Sequence, residues 1–318
     1  MPRTTASGCV FTEPRPDLAR HDFAGAAAPV LDLIAAYYPD DIDLQEAIAV
    51  SRPKAVSMLE RGASLELEQA CGSLMVRVIN ETGHKLPTGH IEGRRVWLNV
   101  LFRDGGGQTV GEYGHYDTAT AHLAEDTTQI YEMHVGLSEA AAKLTGYPAG
   151  TTSHMALADT IEKDNRIPPR GFTNAAFEAG GAPVVAATYA DGQYWGDSYF
   201  SIPDGAVLAE VTVNYQSLPD HYMEALRDGN VTDHWGDTLY SLWEETGKGA
   251  PIRMATDDPG DLAVGSFMRG DIDCDGSVGI VDFLFVLSEW GKRFSPADLD
   301  GSTEVGVTDL MIVLMNWG

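Results

Sequence analysis

Asp271-Ile272-Asp273-Cys274-Asp275-Gly276-Ser277-Val278-Gly279-Ile280-Val281-Asp282 puts oxygen-bearing side chains at the first, third, fifth, seventh and twelfth places of a loop. That is the spacing with which a twelve-residue loop wraps one Ca²⁺, with a glycine at the sixth place for the sharp turn. The pattern returns as Asp298-Leu299-Asp300-Gly301-Ser302-Thr303-Glu304-Val305-Gly306-Val307-Thr308-Asp309. Each loop runs into an apolar segment that closes on Trp-Gly, at Trp290-Gly291 and Trp317-Gly318. Seven of the fourteen positions from Val278 to Gly291 are identical to those from Val305 to Gly318, so liganding and apolar patterns repeat together.

The expected ligands of loop one are Asp271, Asp273, Asp275, Ser277 and Asp282, with the backbone carbonyl serving at Ser277. Those of loop two are Asp298, Asp300, Ser302, Glu304 and Asp309. Loop two is the weaker site. Ser302 replaces an acid, and Thr303 stands where glycine relieves strain. The plainer reading, an acidic turn before a helix, fits loop two better than loop one.

Composition bounds the rest. The chain has 318 residues and a formal charge of −26, which argues against nucleic acid or an anionic membrane as partner. It suits a cation-rich, exterior-like setting. No apolar run is long enough to span a membrane. Cys9, Cys71 and Cys274 have no zinc or redox spacing; a Cys9–Cys71 disulfide and three unpaired thiols are both compatible with them. Met1 is followed by no apolar signal segment.

Along the chain, residues 1–26 read as irregular, with short helices at 29–38 and 43–61, where Asp41 or Asp43 caps, Pro53 kinks or splits, and Gly62 stops the second. From Leu65 the apolar period becomes two. Strands are expected at 74–79, 95–102, 108–110, 129–135 and 206–215, the second and third forming a hairpin over Gly105-Gly106-Gly107. Residues 163–200 read as an irregular excursion, and 221–227 and 238–246 as two helices. The expected fold is mixed and mainly β: short N-terminal helices, an antiparallel β-sandwich, a helical tail, and a small all-α calcium pair. The expected units are 1–63, 64–218 (sandwich), 219–255 (helical extension), 256–269 (linker) and 270–318.

The paired loops resemble a dockerin type I module, an EF-hand-type repeat, over Gly270 to Gly318. The resemblance implies two Ca²⁺ and a cohesin-like or cell-surface receptor as partner. In dockerins the residues just after the ninth loop position help recognise a cohesin. Here they are Ile280-Val281 and Val307-Thr308, unlike the hydroxyl-rich pairs of cellulosomal dockerins.

A second motif is Asn80-Glu81-Thr82-Gly83-His84-Lys85-Leu86-Pro87-Thr88-Gly89, followed by Arg94-Arg95-Val96-Trp97-Leu98. A histidine on such a loop either ligates a metal or haem, or satisfies backbone groups. With Lys163-Asp164-Asn165-Arg166-Ile167-Pro168-Pro169-Arg170-Gly171-Phe172, Tyr131-Glu132 and Leu242-Trp243-Glu244, the motif resembles the β domain at the C-terminal side of multihaem c-type cytochromes. Met1-Pro2-Arg3 and His21-Asp22-Phe23-Ala24-Gly25 are similar to the residues that follow a haem-attachment motif there. The resemblance implies residues 1–63 as the remnant of a haem domain, His21 and His84 as candidate haem ligands in a longer protein, and a periplasmic or extracellular location. The Cys-x-x-Cys-His attachment motif itself is absent. The expectation is the C-terminal region of a longer exported multihaem cytochrome-like electron-transfer protein, Met1 being an internal methionine, with a haem domain upstream or in trans. The other histidines match no zinc motif, and neither a nucleophile elbow nor a phosphate loop is present. No catalytic residue is singled out. The alternative is a secreted dockerin-bearing protein that acts on or binds polysaccharide.

Overall fold

The computed structural model describes residues 3–19, 24–262 and 267–318. His21 lies outside them. The first residues, read as irregular, form an antiparallel hairpin of β1 (Arg3–Ala6) and β2 (Arg15–Ala19). Helix α1 (Ala28–Tyr37) and helix α2 (Ile42–Leu59) follow. Asp41 Oδ1 accepts from the Leu44 N–H at 3.0 Å, capping α2 as expected. Pro53 does not divide α2, which runs on as one helix of 18 residues.

Strands β3 (Ala63–Ala70) and β4 (Ser73–Asn80) are joined by a two-residue turn, Cys71-Gly72, with φ of 49° and 79°. Both values are positive, as the turn that best matches strand twist requires. Next come β5 (Arg95–Arg103) and β6 (Thr109–Tyr113), the expected glycine hairpin. A short pair, β7 (Tyr116–Asp117) and β8 (His122–Leu123), leads to β9 (Ile130–Tyr131) and β10 (Met133–Leu137). The single strand expected over 129–135 is interrupted because the Glu132 N–H donates to Asn165 Oδ1 (2.8 Å) instead of to a neighbouring strand. Helix α3 (Glu139–Thr145), β11 (Gly150–Thr151), β12 (Thr160–Asp164) and α4 (Asn174–Ala179) follow.

The 163–200 excursion is not wholly irregular. It ends in β13 (Trp195–Ser201), which pairs with all of β4 from Trp195↔Ile79 to Ser201↔Ser73. Its inward face carries Gly196 and Ser198, so no apolar alternation announces it. Gly196 is required because a Cβ there would come within 2.7 Å of the Tyr131 hydroxyl. The remaining elements are β14 (Leu208–Gln216), α5 (Asp220–Gly229), α6 (Trp235–Glu245), β15 (Ile252–Asp257), α7 (Ile280–Ser288) and α8 (Val307–Met315).

Two antiparallel sheets, ordered β13-β4-β3 and β15-β14-β5-β6, face one another across one core. Leu74, Val76 and Val78 of β4 meet Val96, Leu98, Val100 and Phe102 of β5 and Val211, Val213 and Tyr215 of β14. The alternation read from the sequence is the alternation that is buried. A second cluster, with Leu33, Met223 and Trp243, packs α1, α5 and α6 together. The stretch read as a helical extension therefore ends in a strand of the main sheet, and the expected linker begins inside it, at Thr256 and Asp257. Even Leu262 is held, its N–H donating to the Val207 carbonyl at 2.9 Å. None of the helices among the described residues is long and apolar enough to cross a membrane.

Candidate metal centre

The two aspartate loops have matching hydrogen bonds. Asp271, first in loop one, accepts from the N–H groups of Asp275 (3.1 Å) and Gly276 (3.0 Å). Asp298 does the same with Ser302 (3.1 Å) and Thr303 (2.9 Å). At the twelfth place Asp282 accepts from Ile272 (2.7 Å) and Gly279 (2.8 Å), and Asp309 from Leu299 (2.7 Å) and Gly306 (2.7 Å). Each twelfth-place carboxylate thus closes its loop and faces the N–H groups at the start of α7 or α8. The two repeats also exchange backbone bonds: Gly291 N–H donates to Val305 O (2.9 Å) and Gly318 N–H to Val278 O (3.1 Å).

Carboxylate oxygens of Asp271, Asp273 and Asp275 lie within 4.8 Å of one another, as do those of Asp298, Asp300 and Asp309. Asp282 is not part of the first cluster. Ser277 donates its hydroxyl to Asp275 (2.7 Å), and Ser302 donates to the Glu304 carbonyl (3.1 Å), while the Glu304 side chain points outward, exposed. An all-oxygen set built from carboxylates and a carbonyl suits a hard cation such as Ca²⁺ and disfavours softer metals. Burial, with the charges of Asp309 and Asp300, pushes the Asp298 carboxyl up to about 6 against the opposing Thr303 N–H. A dication placed among these groups reverses that direction, so the residues present fit one.

The helices expose a repeated apolar face. Ile280, Leu284 and Leu287 on α7 match Val307, Met311 and Leu314 on α8, and all six are between 44 % and 66 % exposed. Their neighbours Val286 and Val313 are buried in the small core between the repeats.

The module is fastened to the sandwich rather than hung from it. Cys274, inside loop one, is disulfide-bonded to Cys71 at the β3–β4 turn, which is neither of the two arrangements left open by the sequence, a Cys9–Cys71 bond or three free thiols; Cys9 is exposed and unpaired. Phe294, between the repeats, is 4 % exposed and belongs to the main core, its ring 5.4 Å from that of Phe200. The Tyr199 N–H on the edge strand β13 donates to the Phe294 carbonyl at 2.8 Å. Loop two touches the body through the Ser201 hydroxyl on the Asp298 carbonyl and through Thr303 Oγ1 on the Asp126 carbonyl (3.2 Å). A cleft of about 1140 Å³ remains between residues 289–296 and the sandwich. Sequence reasoning missed Phe294, Thr303 and Cys274 as contact residues. The signal for Phe294 is a lone aromatic among polar residues between two repeats.

The second motif folds into a structural knot. Asn80 Nδ2 donates to the carbonyls of His84 (2.7 Å), Ile167 (2.9 Å) and Pro168 (3.0 Å), which brings the two quoted blocks together. Lys85 is 5 % exposed and donates to Asp164 Oδ2 (2.8 Å) and to the carbonyls of Ala182 (2.9 Å) and Pro183 (2.9 Å). Arg166 forks onto the same Asp164 at 2.7 Å twice. His84 itself is exposed, its backbone clamped and its ring outward.

No family model matches the chain, and no curated protein matches it in sequence. In fold it is similar to a penta-heme cytochrome c552 from Thermochromatium tepidum, with a TM-score of 0.39 and 15 % identity over 65 % of this chain. The chain spans 41 % of that protein. The covalent haem of a c-type cytochrome does not fit these residues: two of the three cysteines bond to each other and Cys9 stands alone.

Proposed function

We propose that this chain is a non-catalytic β-sandwich of multihaem-cytochrome type that carries a calcium-binding, dockerin-like docking module. The observation that carries the docking half is the repeated apolar face. Ile280, Leu284 and Leu287 on one helix, and Val307, Met311 and Leu314 on the other, remain uncovered although the repeat has its own core and a firm seat on the body. Apolar side chains at matching places of two repeats make a surface for a protein partner, of cohesin-like or cell-surface type. Ca²⁺ holds the loops from which both helices start, so partner binding requires it. The cytochrome half rests on the Asn80–Gly89 and Lys163–Phe172 blocks. Haem is supplied by another segment or protein, and His84, with His21, is the side chain offered to it. Such a protein works in the periplasm or outside the cell.

Docking is tested by titrating the chain onto a panel of cohesin domains in Ca²⁺ and in a chelator. Calcium-dependent binding lost in Leu284→Asp/Met311→Asp, with folding unchanged, is expected. Absence of binding across the panel in Ca²⁺ counts against a cohesin-like partner. For the cytochrome half, the protein purified from its native source carries a c-type Soret band with it. Preparations with no Soret absorbance remove that half and leave the docking half standing.

A further inference from the structure

Two residues of the calcium loops bear side chains in left-handed backbone conformations, where glycine is favoured. In loop one the fourth place is Cys274 (φ 61°), whereas loop two has Gly301 (φ 76°) there. At the sixth place the roles invert: Gly276 (φ 87°) in loop one, Thr303 (φ 76°) in loop two. Both exceptions have side chains that tie their loops to the body. Cys274 is bonded to Cys71, and the Thr303 hydroxyl donates to the Asp126 carbonyl at 3.2 Å. Gly301, for its part, has no room for a side chain, since a Cβ would lie 2.8 Å from the Tyr113 hydroxyl. The body thus holds, at each loop, the conformation that the loop's own sequence disfavours.

We propose that the calcium affinity of loop one is set by the redox state of Cys71–Cys274. The inference rests on the calcium reading above. With the disulfide closed, residue 274 is fixed in the conformation the loop needs. A dithiol reductant delivers two electrons and two protons, the S–S bond breaks to give two thiols, and the dithiol becomes a cyclic disulfide. Residue 274 then relaxes to ordinary backbone regions, and Ca²⁺ must restore the left-handed turn when it binds. Loop two, held by the Thr303 hydroxyl and by Gly301, has no such dependence. By linkage the effect is reciprocal: Ca²⁺ makes the disulfide harder to reduce by the same factor. A tenfold change in affinity corresponds to about 30 mV in the two-electron potential.

The experiment is calcium titration calorimetry on the full chain, oxidised and after reduction with dithiothreitol. It is repeated on Cys71→Ser/Cys274→Gly and Cys71→Ser/Cys274→Ala. Reduction is expected to weaken one of two sites about tenfold and to leave the other unchanged, the unchanged site reporting that the chain stays folded. The glycine variant is expected to bind within about twofold of the oxidised protein and to ignore dithiothreitol, because glycine supplies the turn without a crosslink. The alanine variant keeps the weak site. Equal affinities in both redox states, loss of both sites on reduction, or a glycine variant as weak as the alanine one overturns the proposal. No calcium uptake in any state overturns the calcium reading itself, and this inference with it.

Discussion

Replacing Phe294 by alanine separates a module that is part of the sandwich from one that merely follows it. The ring is 4 % exposed, lies in the main core and packs against Phe200, which in turn meets Tyr113 at 5.1 Å. Truncating a buried phenylalanine costs about 3–5 kcal/mol, the transfer term plus the cavity left behind. The backbone under the ring is pinned, because the Phe294 carbonyl accepts from the Tyr199 N–H and its own N–H donates to Thr303 O at 3.0 Å. About 4 kcal/mol is therefore expected. The assay is urea unfolding in saturating Ca²⁺, followed by far-UV circular dichroism. The midpoint should fall while the slope stays constant, since the surface exposed on unfolding is unchanged. A loss below about 1 kcal/mol, the range of a surface substitution, refutes the packing argument.

Three further outcomes follow from the body. Asp164→Asn leaves the buried Lys85 ammonium and the Arg166 fork without their carboxylate, so unfolding free energy should drop by about 3–5 kcal/mol in the same urea assay. Gly114→Ala should lower the melting temperature sharply, because residue 114 has φ of 72° and a Cβ there runs into the Leu98 carbonyl. The pair Glu132–His134 (2.9 Å) makes stability depend on pH in a defined window. Burial raises the Glu132 carboxyl, but the His134 hydrogen bond and the Lys163 ammonium outweigh it and hold it at about 2. Its contribution is present above the ordinary value of 4.5 and is lost as pH falls toward 2. The Glu132 hydrogen bond raises His134, so its contribution is complete below 6.5 and is lost as pH rises through the folded value. Melting temperature against pH should be highest between those limits, and Glu132→Gln should flatten the profile.

Much of this was legible because it follows from local chemistry. The alternation along β4, β5 and β14 dictates which faces meet, and the Asp41 cap and the glycine hairpin each carry their own signal. The gathering of aspartates at 271–275 and 298–309 was legible for the same reason, since spacing within twelve residues fixes where carboxylates meet. What stayed hidden depends on partners distant in sequence. Strand β13 presents Gly196 and Ser198 inward because the Tyr131 ring needs the room, and nothing near residue 196 says so. The disulfide joins cysteines 203 residues apart, so only the fold could choose Cys274 over Cys9 for Cys71. The apparent linker, rich in Asp, Pro and Gly, begins as a paired strand because β14 offers it an open edge. His84 was weighed as a ligand or as a satisfier of backbone groups. Its carbonyl accepts from the Asn80 side chain, and its ring is exposed.

The most direct test is the calcium stoichiometry of the intact chain, measured by equilibrium dialysis against ⁴⁵Ca²⁺ in the wild type and in Asp271→Ala/Asp282→Ala. The account predicts two ions per wild-type chain and one in the variant, the remaining ion held by loop two. No bound ion in the wild type, or the same number in both proteins, contradicts it.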